Sequence, residues 1–208
     1  MLALLAITAI PTVIGTSQGI SQQKRQVAEA KRAAKFHLLA TWETEGKGES
    51  TLNVAIVVLR DGKLYLKTAN DQPGHPFTGY YFRRPDDVQC EGLVSTVSVD
   101  PPMLNWIYVN RDTLQLEYGT KTQSQGHIVG SWGWSANERY LALEDEQRFV
   151  VVHENGEWSL YYDEIGDLTG LPDSPQILDV QLQRRLISTD PVPEAPGVSS
   201  SYVRGGNG

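Results

Sequence analysis

The alternation of apolar and polar residues changes sharply at Phe36. From there the chain runs in short apolar or alternating segments separated by turn residues. Leu52–Leu59 (LNVAIVVL) is rich in β-branched residues, as a buried strand requires. Asp61-Gly62 follows, and then the alternating Lys63–Lys67 (KLYLK). A strand, an Asp-Gly pair and an alternating strand predict a β-hairpin. The same logic predicts strands at Leu93–Val99, Leu104–Val109 and Leu114–Tyr118, the last two joined through Asn110-Arg111-Asp112. It continues at Tyr140–Leu143, Phe149–His153 and Trp158–Tyr162, with Asn155-Gly156 turning between the last two. Ile177–Leu182 is a further candidate, and Phe36–Trp42 and Thr78–Phe82 are weaker ones.

Roughly ten short strands with close turns predict an all-β fold, an antiparallel sandwich or barrel. No strand–helix–strand alternation appears, which excludes a doubly wound sheet. No internal repeat is visible, and the tryptophans recur without a fixed period. The pattern divides the chain into an apolar segment (1–20), a basic helix (21–35), a single β-rich domain (36–187) and a disordered tail (188–208). The tail expectation rests on Pro, Ser and Gly with few apolar residues.

The N-terminus has a different character. Met1–Gly15 (MLALLAITAIPTVIG) would span about 22 Å as a helix, short of a bilayer core of about 30 Å, and Pro11 disfavours an unbroken helix. Its length permits a secretory signal, yet no Lys or Arg precedes it and no clear Ala-x-Ala site follows. Ser21–Lys35 (SQQKRQVAEAKRAAK) is made of good helix formers, with Ser21 placed to cap it. The two segments together suit attachment. Leu2, Leu4, Leu5, Ile7 and Ile10 would enter lipid or a partner, and Lys24, Arg25, Lys31 and Arg32 would meet negative charge. Docking of the apolar segment on the chain's own β-domain, or its cleavage, are the open alternatives.

Composition adds constraints. Apolar residues make up 40% and charged residues 21%, which is globular rather than disordered. The net charge is −7, although the first 35 residues carry five cations against Glu29. The body is therefore strongly acidic, which argues against sequence-independent nucleic-acid binding. A lone cysteine, Cys90, rules out an intrachain disulfide, and none of the seven asparagines sits in an Asn-x-Ser/Thr acceptor. Both favour an intracellular protein, which the N-terminal segments would associate with a membrane, over the secreted alternative.

Candidate chemistry is sparse. No phosphate-binding glycine loop, dinucleotide fingerprint or nucleophile elbow is present, so no cofactor and no catalytic residue is expected. His37, His75, His127 and His153 share no metal-ligand spacing, and the carboxylates at Glu144–Glu146 and Asp163–Asp167 follow no calcium-loop pattern. Aromatic residues are more informative. Trp106 and Trp158 lie in alternating strands and are expected in the core. Trp132 and Trp134 stand among glycines in Gly130–Ser135, an expected loop, with His127 beside it. An exposed loop of this kind can stack on a sugar face or anchor a partner.

Three stretches resemble a family of uncharacterised filamentous-fungal proteins: PPMLNWIYVNRDTLQLEYGTK (Pro101–Lys121), HIVGSWGW (His127–Trp134) and GEWSLYYD (Gly156–Asp163). The opening apolar segment and the Gln/Lys-rich segment after it are similar to that family too. The resemblance implies a fungal source and a self-contained β-domain, and it brings no activity, cofactor or site residue. The leading expectation is a non-catalytic binding or assembly protein attached through its N-terminus to an anionic membrane surface or to copies of itself. The alternative is a secreted carbohydrate-binding protein using Trp132 and Trp134, with a hydrolase of unrecognised site ranked last.

Overall fold

A computed structural model describes residues 21–27, 30, 34–46, 49–68, 73–83, 91–97 and 103–187. The expected apolar segment, the attachment residues Leu2–Ile10, Lys31 and Arg32, and the expected tail lie outside these residues. The basic segment is helical over 21–27, here α1, and at residue 30.

The body is built of antiparallel strands, as the alternating pattern requires. In chain order they are β1 (Phe36–Gly46), β2 (Glu49–Arg60), β3 (Lys63–Lys67), β4 (His75–Pro76), β5 (Gly79–Arg83), β6 (Glu91–Thr96) and β7 (Leu104–Val109). After these come β8 (Leu116–Gly119), a short helix α2 (Lys121–Ser124), β9 (Trp132–Trp134), β10 (Leu141–Leu143), β11 (Phe149–Glu154), β12 (Glu157–Tyr162) and β13 (Ile177–Leu186). Helix α2 is fixed by a reciprocal capping box between Thr120 and Gln123.

The sheet closes on itself. β1 pairs β2, β2 pairs β3, β3 pairs β12, β12 pairs β11, β11 pairs β13, and β13 returns to β1. A second circuit leaves β1 through β5, β6, β7 and β8 and rejoins at β3. Closure of this kind is a barrel arrangement and decides against the open sandwich.

Three hairpins organise one end. They are β2–β3 around Asp61-Gly62, β7–β8 around Asn110–Leu114, and β11–β12 around Asn155-Gly156. Their second strands meet pairwise: Tyr65 opposite Ser159, Lys63 opposite Glu117, and Gln115 bridged to Tyr161. Gly62 O accepts from Tyr118 N, and Leu114 O accepts from Tyr162 N. This is a threefold arrangement that the sequence conceals, because the turns differ in length. Asp61-Gly62 and Asn155-Gly156 adopt the positive φ that a two-residue hairpin turn requires. In the longer turn Leu114 takes a φ of 59°. It therefore belongs to the turn and not to the strand in which the alternating pattern placed it.

The inward residues of the hairpins fill one core. Leu59, Leu64 and Leu66 meet Val109 and Leu116, then Val151, Leu160 and Tyr162, with Phe36, Phe77, Trp132 and Phe149 among the largest buried side chains. Each fully buried Leu or Val contributes roughly 1.5–3 kcal/mol. A smaller cluster of Val150, Val152 and Tyr161 lies outside the sheet under Leu171 and Ile177. Close contacts also restrict composition: a Cβ at Gly92 would stand 2.3 Å from the Trp106 ring.

Candidate functional site

Trp132, Trp134 and His127 come first, since the sequence singles them out. The Gly130–Ser135 segment is not an exposed loop. Its centre is strand β9, paired with β10. Trp132 is 2% exposed and stacks on Phe149 with ring centroids 6.3 Å apart. Trp134 is half-buried, edge-on to Phe36 and Tyr81 and covered by the Arg184 guanidinium 4.7 Å from its ring centre. Tyr81 donates to Gly133 O at 2.7 Å and ties the strand down. The expectation of an exposed aromatic platform is corrected: the two rings pack inward against Phe149, Phe36 and Tyr81. Trp106 and Trp158 are half-buried rather than enclosed.

His127 is half-buried and stacks on Tyr108 at 5.1 Å, and its Nδ1 accepts from Arg111 N. His37 Nδ1 lies 2.8 Å from Phe77 O, and His75 Nδ1 lies 2.8 Å from Pro76 O. A carbonyl only accepts, so these two nitrogens donate and are occupied. His153 packs against Trp158. The structure does not gather the histidines around one cavity, and among the described residues no group of three His, Cys, Asp or Glu is arranged to hold a metal ion.

A candidate concavity lies elsewhere. A groove of about 570 Å³ runs over the outer face of β1, β11 and β13. Trp42 lines it, with Glu43, Gln147, Arg148, Asp179 and Gln181 supplying hydrogen-bonding groups. Register explains this gathering: Thr41 opposes Gln181, and Val150 opposes Asp179, so their side chains share a face. Thr41 Oγ1 donates to Gln181 O and joins the two strands.

One wall of the groove is a preorganised loop. Asp163 is 5% exposed, and its two oxygens accept from Gly166 N at 2.8 Å and Leu168 N at 3.1 Å. Those bonds hold Leu168 at a φ of 65° and leave Ile165 exposed. Arg148 donates to Glu164 O and pairs with Glu146 at 3.2 Å, so its guanidinium is held at the groove. The carboxylate segment Asp163–Asp167 is thus a backbone-organising turn. Hydrogen-bonding side chains, an indole and a fixed wall are the ingredients of a small-molecule site.

A second cavity of about 470 Å³ opens where the three hairpins meet. Lys63 and Tyr65 of β3, Gln115 before β8, and Glu154, Ser159 and Tyr161 of β11–β12 line it. Tyr161 donates to Glu154 at 2.7 Å. Burial, and then the neighbouring Glu154 carboxylate, pushes the Tyr161 phenol well above its ordinary range, so it stays protonated. Burial likewise raises Tyr65, against the opposing effect of Arg60, whose guanidinium stands 4.5 Å from the ring centre. Arg60 is bonded to Glu157.

Sequence reasoning missed both cavities. Trp42 enters the sequence reading only as the end of the weaker strand candidate Phe36–Trp42, and Gln115 and Ser159 carry no motif.

Residues 15–188 match the model of a family described as a fungal beta-trefoil domain. The chain belongs to that family. No curated protein and no solved structure matches it. The expected all-β fold and fungal family both stand, and the three-hairpin closure is the trefoil's own threefold arrangement.

Proposed function

We propose that this member of the fungal β-trefoil domain family is a non-catalytic binding domain whose ligand is a carbohydrate, held in the Trp42 groove. One observation carries the reading: a half-buried indole stands beside carboxylates, amides and a fixed guanidinium in one groove. Sugars present C–H faces that pack on aromatic rings, and hydroxyls that pair with planar carboxylate and amide groups. Glu43, Asp179 and Gln181 suit the hydroxyls, and Trp42 suits the ring face.

A glycan array probed with the full chain tests this. Binding of at least one glycan is expected, lost in Trp42→Ala and retained in Trp132→Phe. No glycan bound, or binding unchanged in Trp42→Ala, overturns the assignment.

A second reading concerns attachment rather than recognition. Lys24, Arg25 and Val27 of α1 are exposed, the last by 61%. This supports a basic N-terminus that meets an anionic membrane or a second acidic copy of the chain. No helix among the described residues is long and apolar enough to cross a membrane, so attachment would be peripheral or through other segments. Co-sedimentation with phosphatidylserine vesicles, compared between the full chain and its Lys24→Glu/Arg25→Glu variant, distinguishes the two readings. Equal sedimentation of both sinks the attachment.

A further inference from the structure

Beyond Thr41 and before Ile56, β1 and β2 part from the rest of the sheet. Among the described residues, 42–46 of β1 pair only with β2, and 49–55 of β2 pair only with β1. The two segments form a two-stranded arm with both edges unpaired. Such an arm is marginal alone and its edges are open to a partner.

The two faces of the arm differ. On one, Asn53 donates to Thr44 Oγ1 at 2.6 Å and to Thr51 O at 3.2 Å, so polar groups of that face satisfy one another. The other face follows from the register: Thr41 opposes Val54, Glu43 opposes Leu52, and Glu45 opposes Ser50. Opposed residues share a face. Two carboxylates therefore stand beside Leu52 and Val54, which are 62% and 54% exposed. Ser50 Oγ donates to Glu43 at 3.2 Å across this face. Asp179 of β13, exposed beside Glu43 in the groove, extends the negative charge. Of the bordering cations, Lys67 stands at the base of the arm opposite Ile56, and Arg148 is already paired with Glu146.

A surface both acidic and apolar suits a segment both basic and apolar, and α1 is one. Residues 21–27 are all exposed. Lys24 and Val27 are three apart and lie on one helical face, with Arg25 next to it. Pairing of one arm with another is the competing arrangement. It would bring Glu43 and Glu45 of two copies together, and like charges across strands repel.

Position selects the copy. At about 3.3 Å per residue, Glu45 lies about 30 Å along β1 from Phe36. The connection from Val27 to Phe36 covers that distance only when fully stretched, and residue 30 within it is helical. The helix therefore meets the arm of another molecule more readily than its own.

We propose that the acidic, apolar face of the β1–β2 arm is a docking surface for α1 of a second copy of this chain. The inference rests on the reading of the basic N-terminus as an attachment segment, and it names the surface attached to. Reciprocal docking, each α1 on the other's arm, closes a two-fold dimer. Glu43 and Glu45 meet Lys24 and Arg25, while Leu52 and Val54 cover Val27. Glu43 also borders the Trp42 groove, so a docked helix and a groove ligand compete for it.

The test is sedimentation velocity on the full chain across the micromolar range, at low and at high salt. A dimer that weakens as salt rises is expected. Glu43→Lys/Glu45→Lys should weaken it about tenfold or more, and so should Lys24→Glu/Arg25→Glu. Mixed together, these two variants should pair again, because every helix then meets an arm of opposite sign. Val54→Thr keeps a strand-forming residue at an exposed position and is a second probe of the arm, expected to weaken the dimer by a smaller factor. A chain that is monomeric throughout overturns the proposal; if it still sediments with phosphatidylserine vesicles, the attachment reading survives without it. A dimer lost in the helix variant but unchanged in both arm variants overturns the docking surface and keeps the attachment. A mixture of the two charge-reversed variants that stays monomeric also overturns the proposal.

Discussion

Leu160 and Ser159 are neighbours on β12, and Leu116 and Gln115 adjoin at the start of β8. All four are almost wholly buried. The leucines face the common core, whereas Ser159 and Gln115 face the cavity where the hairpins meet. The same strands therefore bury an apolar face that stabilises and a polar face that does not. Burial alone does not distinguish them; what separates them is the side of the sheet that each faces.

The largest expected effect lies on the apolar side. Trp132→Ala removes a fully buried indole stacked on Phe149 and should cost about 3–5 kcal/mol in chemical denaturation. Trp132→Phe should cost much less, because it also removes an unpaired buried N–H. Equal losses for the two would mean that the N–H has a partner in solution.

Leu160→Ala follows, at about 2–5 kcal/mol. Ser159→Ala, one residue away, should cost less than about 1 kcal/mol, since it removes a single small hydroxyl that faces the cavity rather than the core. Comparable losses at the two positions would break the comparison and make the hairpin cavity a structural core.

Alkaline pH probes both faces at once. Burial raises Tyr162 in the core from 10.0 to about 12, and raises Tyr161 at the cavity further, with Glu154 adding to the effect. Tyr108 is pushed up to about 12 by burial and Glu117. The unfolded chain loses these phenolic protons near pH 10, while the folded chain keeps them. Between those values the unfolded state binds fewer protons, so stability falls as pH rises. It is fully present below about pH 10 and lost toward about pH 12. Denaturation midpoints should fall over the same pH range in which phenolate absorbance rises. Ionisation of these tyrosines near pH 10 with no loss of stability contradicts their burial.

The smallest effect is at the rim. Glu157→Gln weakens the pair with Arg60, whose side chain is 13% exposed against 27% for Glu157. A loss of about 1 kcal/mol or less is expected, reduced further by salt. A loss matching Leu160→Ala would show that the ion pair, not the apolar face, holds the hairpins.

Much of the strand order was legible locally. Asp61-Gly62 and Asn155-Gly156 mark their hairpins because only certain residues accept positive φ, and β2, β3, β7, β11 and β12 fall where alternation put them. β9 escaped, because three residues centred on a glycine carry no periodicity and their burial depends on Phe36, Tyr81 and Phe149. β1 and β13 run longer than their patterns suggested, since each is held by partners on both sides. The Thr120–Gln123 capping box is readable in the sequence as Thr-x-x-Gln.

The candidate sites were less legible. Alternation assigns Tyr65, Ser159 and Tyr161 to the face away from the core, and in a single hairpin that face would be wet. Only the meeting of three hairpins gathers it around one concavity.

By itself the sequence determined an all-β chain of antiparallel hairpins, because turn chemistry and period-two alternation act between near neighbours. The tertiary structure alone decided that the sheet closes, that Trp132 is sealed inside, and that Trp42, Gln115 and Ser159 border cavities. Those outcomes depend on pairings between residues far apart in the chain, such as Tyr65 with Ser159, which no local pattern encodes.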